Sequence, residues 1–252
     1  MQKRGQTTAF VILGIIIVIV ALLLLYLRGN LFFGPVTPDT LGDRLLPISD
    51  HIKGCIKEIG DEPIRRIGLQ GGHLALAEDT FKLYNGVGIS YLCYNRKEDA
   101  RCYTRMLTRG DMEEELSKAL ATEMNKCLNI NKFKKGFDLT IGKMSLATDI
   151  GNDNVAVLVT LPLTLRKGDV VVKEDTFSQT FNYPLGRLYQ VSQDITDIES
   201  ETGEFEQLTY MLAHKGQYII DKKKPYPDKL YILQTKDSDY IFQFFIQGEP
   251  TT

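Results

Sequence analysis

The chain has 252 residues, a formal net charge of −2 and a quarter of its residues charged. No broad basic face follows from that balance, so nucleic acid is excluded as a partner. The three histidines, His51, His73 and His214, are scattered and no cysteine pair has CxxC spacing; no metal site and no cofactor are expected.

The first 28 residues are set apart by composition. Between Ala9 and Leu27 the run AFVILGIIIVIVALLLLYL carries no charge. As a helix it would reach about 30 Å, the thickness of the bilayer's hydrocarbon core. It is longer than a secretory apolar region, and Tyr26, Leu27 and Arg28 follow it where a small-residue cleavage site would stand. A retained single-pass anchor in the cell membrane, contacting the lipid bilayer through Ala9 to Leu27, is expected. Lys3 and Arg4 precede the run, Arg28 follows it, and the next positive charge is Arg44. That bias puts the N-terminus in the cytoplasm and the rest outside. Residues 29–40, with Gly29, Gly34, Pro35 and Pro38, read as a hinge or linker. Residues 41–252 read as one extracytoplasmic α+β domain.

From Leu41 the apolar positions Leu41, Leu45, Ile48, Ile52, Cys55 and Ile59 form one helical stripe. Pro47 suits a first turn, and Pro63 with GLQGG (68–72) would end the helix. A β-like region follows, in which YNGV predicts a hairpin turn. Cys93 and Cys102 flank the polar stretch YNRKEDAR and are expected to bond across it. The segment GDMEEELSKALATEMNKCLN predicts a helix capped by Asp111, with Met112, Leu116, Leu120 and Cys127 on its apolar side. Cys55 and Cys127 then lie on two helix stripes and are expected to pair. All four cysteines fall outside the apolar run, as two disulfides in an oxidising compartment require.

Val155, Val157, Val159, Leu161, Leu163 and Leu165 alternate strictly, the mark of a strand with one buried face. Pro162 among them points to an edge strand or a bulge. Phe137, Leu139 and Ile141 form a strand before it, with a slip of phase at Gly142 and Lys143, and Phe177, Phe181 and Tyr183 a strand after it. The three make an antiparallel meander. Pro184 opens a helix with Leu188, Val191, Ile195 and Ile198 inward, interrupted at Gly203, and Phe205, Leu208 and Leu212 resume the pattern. KLYILQTKDSDYIFQFFIQG gives two closing strands.

Chemistry-bearing motifs are few. GLQGG neither follows a strand nor opens a helix with Lys-Ser/Thr, so it reads as a helix-ending turn rather than a phosphate cradle. DIGNDN (149–154) has clustered oxygens but lacks a calcium loop's spacing, and reads as a hairpin turn. GxSxG and HExxH are absent, and Lys222, Lys223 and Lys224 read as a solvated loop. No catalytic residue is assigned.

Lys3-Arg4-Gly5-Gln6 directly before the apolar run resembles the class III signal peptide of archaeal pilins and archaellins. The resemblance implies cleavage between Gly5 and Gln6 by a prepilin peptidase, with the helix kept on the mature protein. Pilins carry one helix unbroken into the head domain, whereas Gly34, Pro35 and Pro38 interrupt it here. The order of CIKEIG, GLQGG, MEEEL, FDLTIG and PLTLRKGD is similar to a family of membrane-anchored archaeal proteins with no established activity to transfer. The expectation is a cell-surface structural or interaction protein, not an enzyme, processed like an archaeal pilin and meeting other membrane or surface proteins. The alternatives are an anchored ligand-binding module or envelope factor that forms no filament, and an anchored hydrolase.

Overall fold

The computed structural model describes residues 15–24, 38–95, 102–133 and 138–248. Residues 15–24 are helical (α1), and their large apolar side chains, Ile15 to Leu24, are each 50–60% exposed. Among the described residues no helix is long and apolar enough to cross a membrane. Of the run expected as an anchor, only these ten residues are described.

Helix α2 spans Pro38–Leu69, about 48 Å at the usual rise. It starts inside the stretch read as linker, and Pro47 and Pro63 both lie within it. A proline inside a helix costs about 3 kcal/mol. Here the apolar stripe outweighs that cost, because Leu41, Leu45, Ile48, Ile52, Cys55, Ile56, Ile64 and Ile67 are all buried. What ends the helix is GLQGG: Gly71 and Gly72 have φ of +72° and +90°, which favours glycine. Gly68 serves a close approach, since a Cβ there would meet the Ile241 carbonyl and the Tyr240 ring and hydroxyl.

The first sheet contains β1 (Phe81–Tyr84), β2 (Val87–Asn95), β3 (Cys102–Thr104), β8 (Tyr218–Lys223), β9 (Lys229–Thr235) and β10 (Ile241–Ile246). Its order is β1-β2-β10-β9-β8, with β3 also on β2. The hairpin turn at Asn85-Gly86 has φ of 50° and 81°, as the Asn-Gly signal predicts. The expected antiparallel arrangement is corrected at one point, because β10 runs parallel to β2. Strand β8 was not legible as a strand, and Lys222 and Lys223, read as loop, lie in it.

The second sheet contains β4 (Asp138–Ile141), β5 (Ser145–Ile150), β6 (Val155–Lys167) and β7 (Val170–Phe181). The first two share one edge of β6, β5 along Val155 to Thr160 and β4 along Leu163 to Arg166. The phase slip at Gly142-Lys143 is the break between them. Pro162 stands at a bulge of β6, the central strand rather than an edge. Its carbonyl accepts the Gly142 N–H at 2.7 Å. The six alternating residues of β6 are all buried.

Helix α3 (Arg109–Cys127) is capped by Thr108, not Asp111. Thr108 Oγ1 accepts the Asp111 N–H, and Asp111 accepts the Thr108 N–H in return. Asp111 is therefore the third residue of a capping box, not its cap. The buried side of α3 is Met112, Leu116, Leu120 and Met124. Helix α4 (Leu185–Thr202) stops at Gly203, whose φ of +75° closes it, and α5 (Gln207–Ala213) follows. Ile198 is exposed, and Glu199 is buried in its place. One apolar core joins α2, α3 and α4 to both sheets.

Candidate functional site

Both expected disulfides are present. Cys55 and Cys127 join α2 to α3 with a Cα separation of 5.8 Å, and Cys93 and Cys102 join β2 to β3 at 5.2 Å. No cysteine is free. Cys55 sits in the buried stripe as expected, while Cys127 is only half-buried at the end of α3. The expected cleavage residues Gly5 and Gln6 lie outside the described residues.

The most concentrated ionic chemistry is one that sequence reasoning missed. Glu199, on the inner side of α4, has a side chain 1% exposed. Its Oε1 accepts the Phe205 N–H at 3.1 Å and the Tyr231 hydroxyl, and its Oε2 accepts Lys229 Nζ at 2.7 Å. Lys229 also donates to the Gly203 carbonyl and to Glu204 Oε2, so its three N–H groups are all used. Lys222, 7% exposed, donates to Glu204 Oε1 at 2.6 Å and to the Phe205 carbonyl at 2.9 Å. The lysine run therefore does not read as a solvated loop at its first member: Lys222 points inward from β8.

This arrangement is a clamp. It fastens the turn between α4 and α5 onto β8 and β9 by charge-assisted hydrogen bonds. The bond from Lys222 is the main cause that holds Glu204 at a pKa of about 2; burial opposes it and Lys229 adds to it. Burial works against the charge on Lys229, but its bonds to Glu199 and Glu204 prevail and raise its pKa. Burial and the bond to Glu199 push the Tyr231 hydroxyl well above its ordinary range, so it serves as a donor and not as a base. A second buried acid, Asp228, accepts Lys82 Nζ at 2.6 Å, the Tyr91 hydroxyl at 2.8 Å and the Gly248 N–H at 3.1 Å. It ties the first hairpin to the chain's last described residues.

The other candidates resolve into packing. GLQGG and DIGNDN are a helix end and a strand turn, and in the latter Asp153 meets Arg187 at 2.5 Å. His51 lies against Phe133 and 3.9 Å from the Cys55 sulfur, and His214 stacks on Tyr210. His73 is half-buried, and burial lowers its pKa against the pull of Glu115. Among the described residues no group of three His, Cys, Asp or Glu side chains could hold a metal ion. An open recess of about 440 Å³ lies between α2 and the end of β7, lined by Lys57, Asp61, Gln179, Phe181 and Tyr183. There the Tyr183 hydroxyl donates to Asp61, and Arg65 covers the Tyr183 ring at 4.8 Å. A smaller recess of about 280 Å³ lies where β4 and β5 part, lined by Leu128, Ile130, Ile141, Met144 and Leu161.

Compared with family models, with curated proteins and with solved structures, the chain matches none.

Proposed function

We propose that the chain is a membrane-anchored, extracytoplasmic structural or interaction protein. The observation that carries this reading is the uncharged run from Ala9 to Leu27, of which residues 15–24 form a helix with every large apolar side chain 50–60% exposed. About half of each such side chain is exposed, so in water it forgoes about half of the 1.5–3 kcal/mol that full burial returns. Lipid supplies that environment, and a helix satisfies its own backbone there. The two disulfides, which consume every cysteine, suit an oxidising space outside the cytoplasm. Lys3 and Arg4 before the run orient it with the body outside. The Gly5-Gln6 junction makes a prepilin peptidase the expected processing partner.

The test is fractionation of cells expressing the full chain, with mass spectrometry of the mature N-terminus. The chain should stay with membranes through an alkaline carbonate wash and begin at Gln6. Recovery in the wash would overturn the anchor, and an intact Met1 would overturn the processing. A second reading, a tethered module that forms no filament, is favoured by Gly34, Pro35 and Pro38 between the apolar run and the body of α2. Electron microscopy of cells with and without the protein separates the two: loss of a filament supports polymerisation, and no change supports the tethered module.

A further inference from the structure

Most strand edges of this molecule are guarded. On β5 the Thr148 N–H donates to Ser117 Oγ at 3.0 Å and the Ile150 N–H to Glu113 Oε1 at 2.8 Å, so α3 caps that edge. Strands β1, β3 and β4 have only three or four residues, and β8 carries Asp221, Lys222 and Lys223. Short length and charge both deter pairing with another strand. Strand β7 pairs with β6 alone, and its first half is guarded by Lys173, Glu174, Asp175 and a register break. The second half, TFSQTF (176–181), has no charge, proline or bulge. In an antiparallel sheet the N–H and C=O of one residue point to the same side, and successive residues to opposite sides. Because Thr148 and Ile150 turn away from β6, their register partners Val157 and Val155 turn toward β7, where they meet Gln179 and Phe181. Thr176, Ser178 and Thr180 therefore turn their N–H and C=O groups outward. The Thr180 carbonyl accepts the Gln179 side chain at 3.3 Å, and among the described residues nothing hydrogen-bonds the others.

A row of unpaired backbone donors and acceptors is matched by one kind of occupant, another extended backbone. The recess between α2 and the end of β7 lies beside this row. Helix α2 runs alongside β7, held by Ser49 on Glu174 at 3.0 Å and by the Phe181 ring, which fills the space where a Cβ on Gly60 would stand. Lys57 and Asp61 line the recess from the helix, and Gln179 and Asn182 from the strand side. Asp61 is already engaged by the Tyr183 hydroxyl and by Arg65 at 3.3 Å. Lys57 is exposed and has no acidic partner among the described residues. From these features we infer that 176–181 and the recess form a docking site for an extended peptide of another protein, added as a strand to β7 with a carboxylate side chain over Lys57. The peptide residue opposite Gln179 shares its face of the sheet, so its side chain enters the recess. Its two neighbours turn their N–H and C=O groups to Ser178 and the outward groups beside it. The site names a partner class for the interaction reading and does not need the anchor.

The test titrates the full chain, in mild detergent, into a fluorescent peptide of alternating valine and threonine with one central glutamate, followed by anisotropy. The same peptide N-methylated on the residues either side of the glutamate keeps its side chains but loses the bonds to β7, and should bind at least about tenfold more weakly. Ser178→Pro deletes an outward N–H, which an edge strand tolerates, and should abolish binding at an unchanged melting temperature. Should it lower that temperature, Lys57→Glu decides: it should reverse the preference for glutamate over lysine at the peptide's centre, by at least about tenfold in the ratio of affinities. Equal binding of the methylated peptide, binding that survives Ser178→Pro, an unchanged preference in Lys57→Glu, or no binding of the parent peptide at millimolar concentration overturns the inference. A dimer of the chain alone that Ser178→Pro dissolves, with no peptide bound, puts a second copy on the edge and overturns it equally. Cell fractionation reports the anchored reading separately, so either can fail without the other.

Discussion

Replacing Glu199 by alanine removes the acceptor at the centre of the α4–α5 clamp. Three donors lose it: the Phe205 N–H, the Tyr231 hydroxyl and one N–H of Lys229. Phe205 is 2% exposed and Tyr231 is fully buried, so water cannot replace the carboxylate. Each orphaned buried donor costs about 1–3 kcal/mol. Lys229 and Lys222 keep Glu204, which tempers the loss. Removing one side of a buried ion pair typically costs about 3–5 kcal/mol, and the sum here falls near 4 kcal/mol. With a urea m-value of about 2 kcal/mol/M, the midpoint should fall by roughly 2 M at unchanged slope. The chain has no tryptophan and twelve tyrosines, so tyrosine emission and far-ultraviolet circular dichroism are the signals. Glu199→Gln keeps an acceptor for Phe205 and Tyr231 but loses the charge, and should cost about half as much. A loss under about 1 kcal/mol for Glu199→Ala would refute the reasoning, since no buried, fully engaged carboxylate is so cheap to delete.

Two further outcomes follow from the same geometry. Glu204 has its pKa lowered from 4.5 to about 2, so it adds stability that is complete above pH 4.5 and is lost as pH falls through about 2. Its side chain is 46% exposed, and after solvent screening the contribution is about 1 kcal/mol. Glu204→Gln should flatten that part of an acid titration of the melting temperature, and an unchanged acid limb would remove Glu204 from the clamp. The disulfides differ in the loops they close, with sequence separations of 72 and 9. Chain entropy alone makes them worth about 4.4 and about 2.6 kcal/mol. The double serine variant at Cys55 and Cys127 should therefore melt well below that at Cys93 and Cys102, and the reverse order would refute loop closure as the dominant effect.

Much of the fold was legible because its elements are written in local patterns. The alternation of β6, the Asn85-Gly86 turn, the stripe of α2 and the two cysteine pairs each depend on residues near one another or on one repeated period. The misplaced boundaries share a cause. Pro47 and Pro63 are helix breakers by their own geometry, and only burial of the stripe on both sides of them keeps α2 continuous. Thr108 outcompeted Asp111 as cap because the pair forms a reciprocal box that either residue alone suggests equally well.

The clamp was not legible at all. Glu199 lies 23 residues before Lys222 and 30 before Lys229, and nothing in either segment distinguishes a buried charge from a solvated one. A charge enters a core only where partners arrive from elsewhere in the chain, so its burial is a property of the packing. The same holds for the parallel pairing of β2 with β10. The sequence by itself determined the uncharged run, the α+β class and the disulfide pairs, because those rest on composition and period. The tertiary structure alone decided which ions are buried and which distant strands pair, because both depend on elements brought together across the chain.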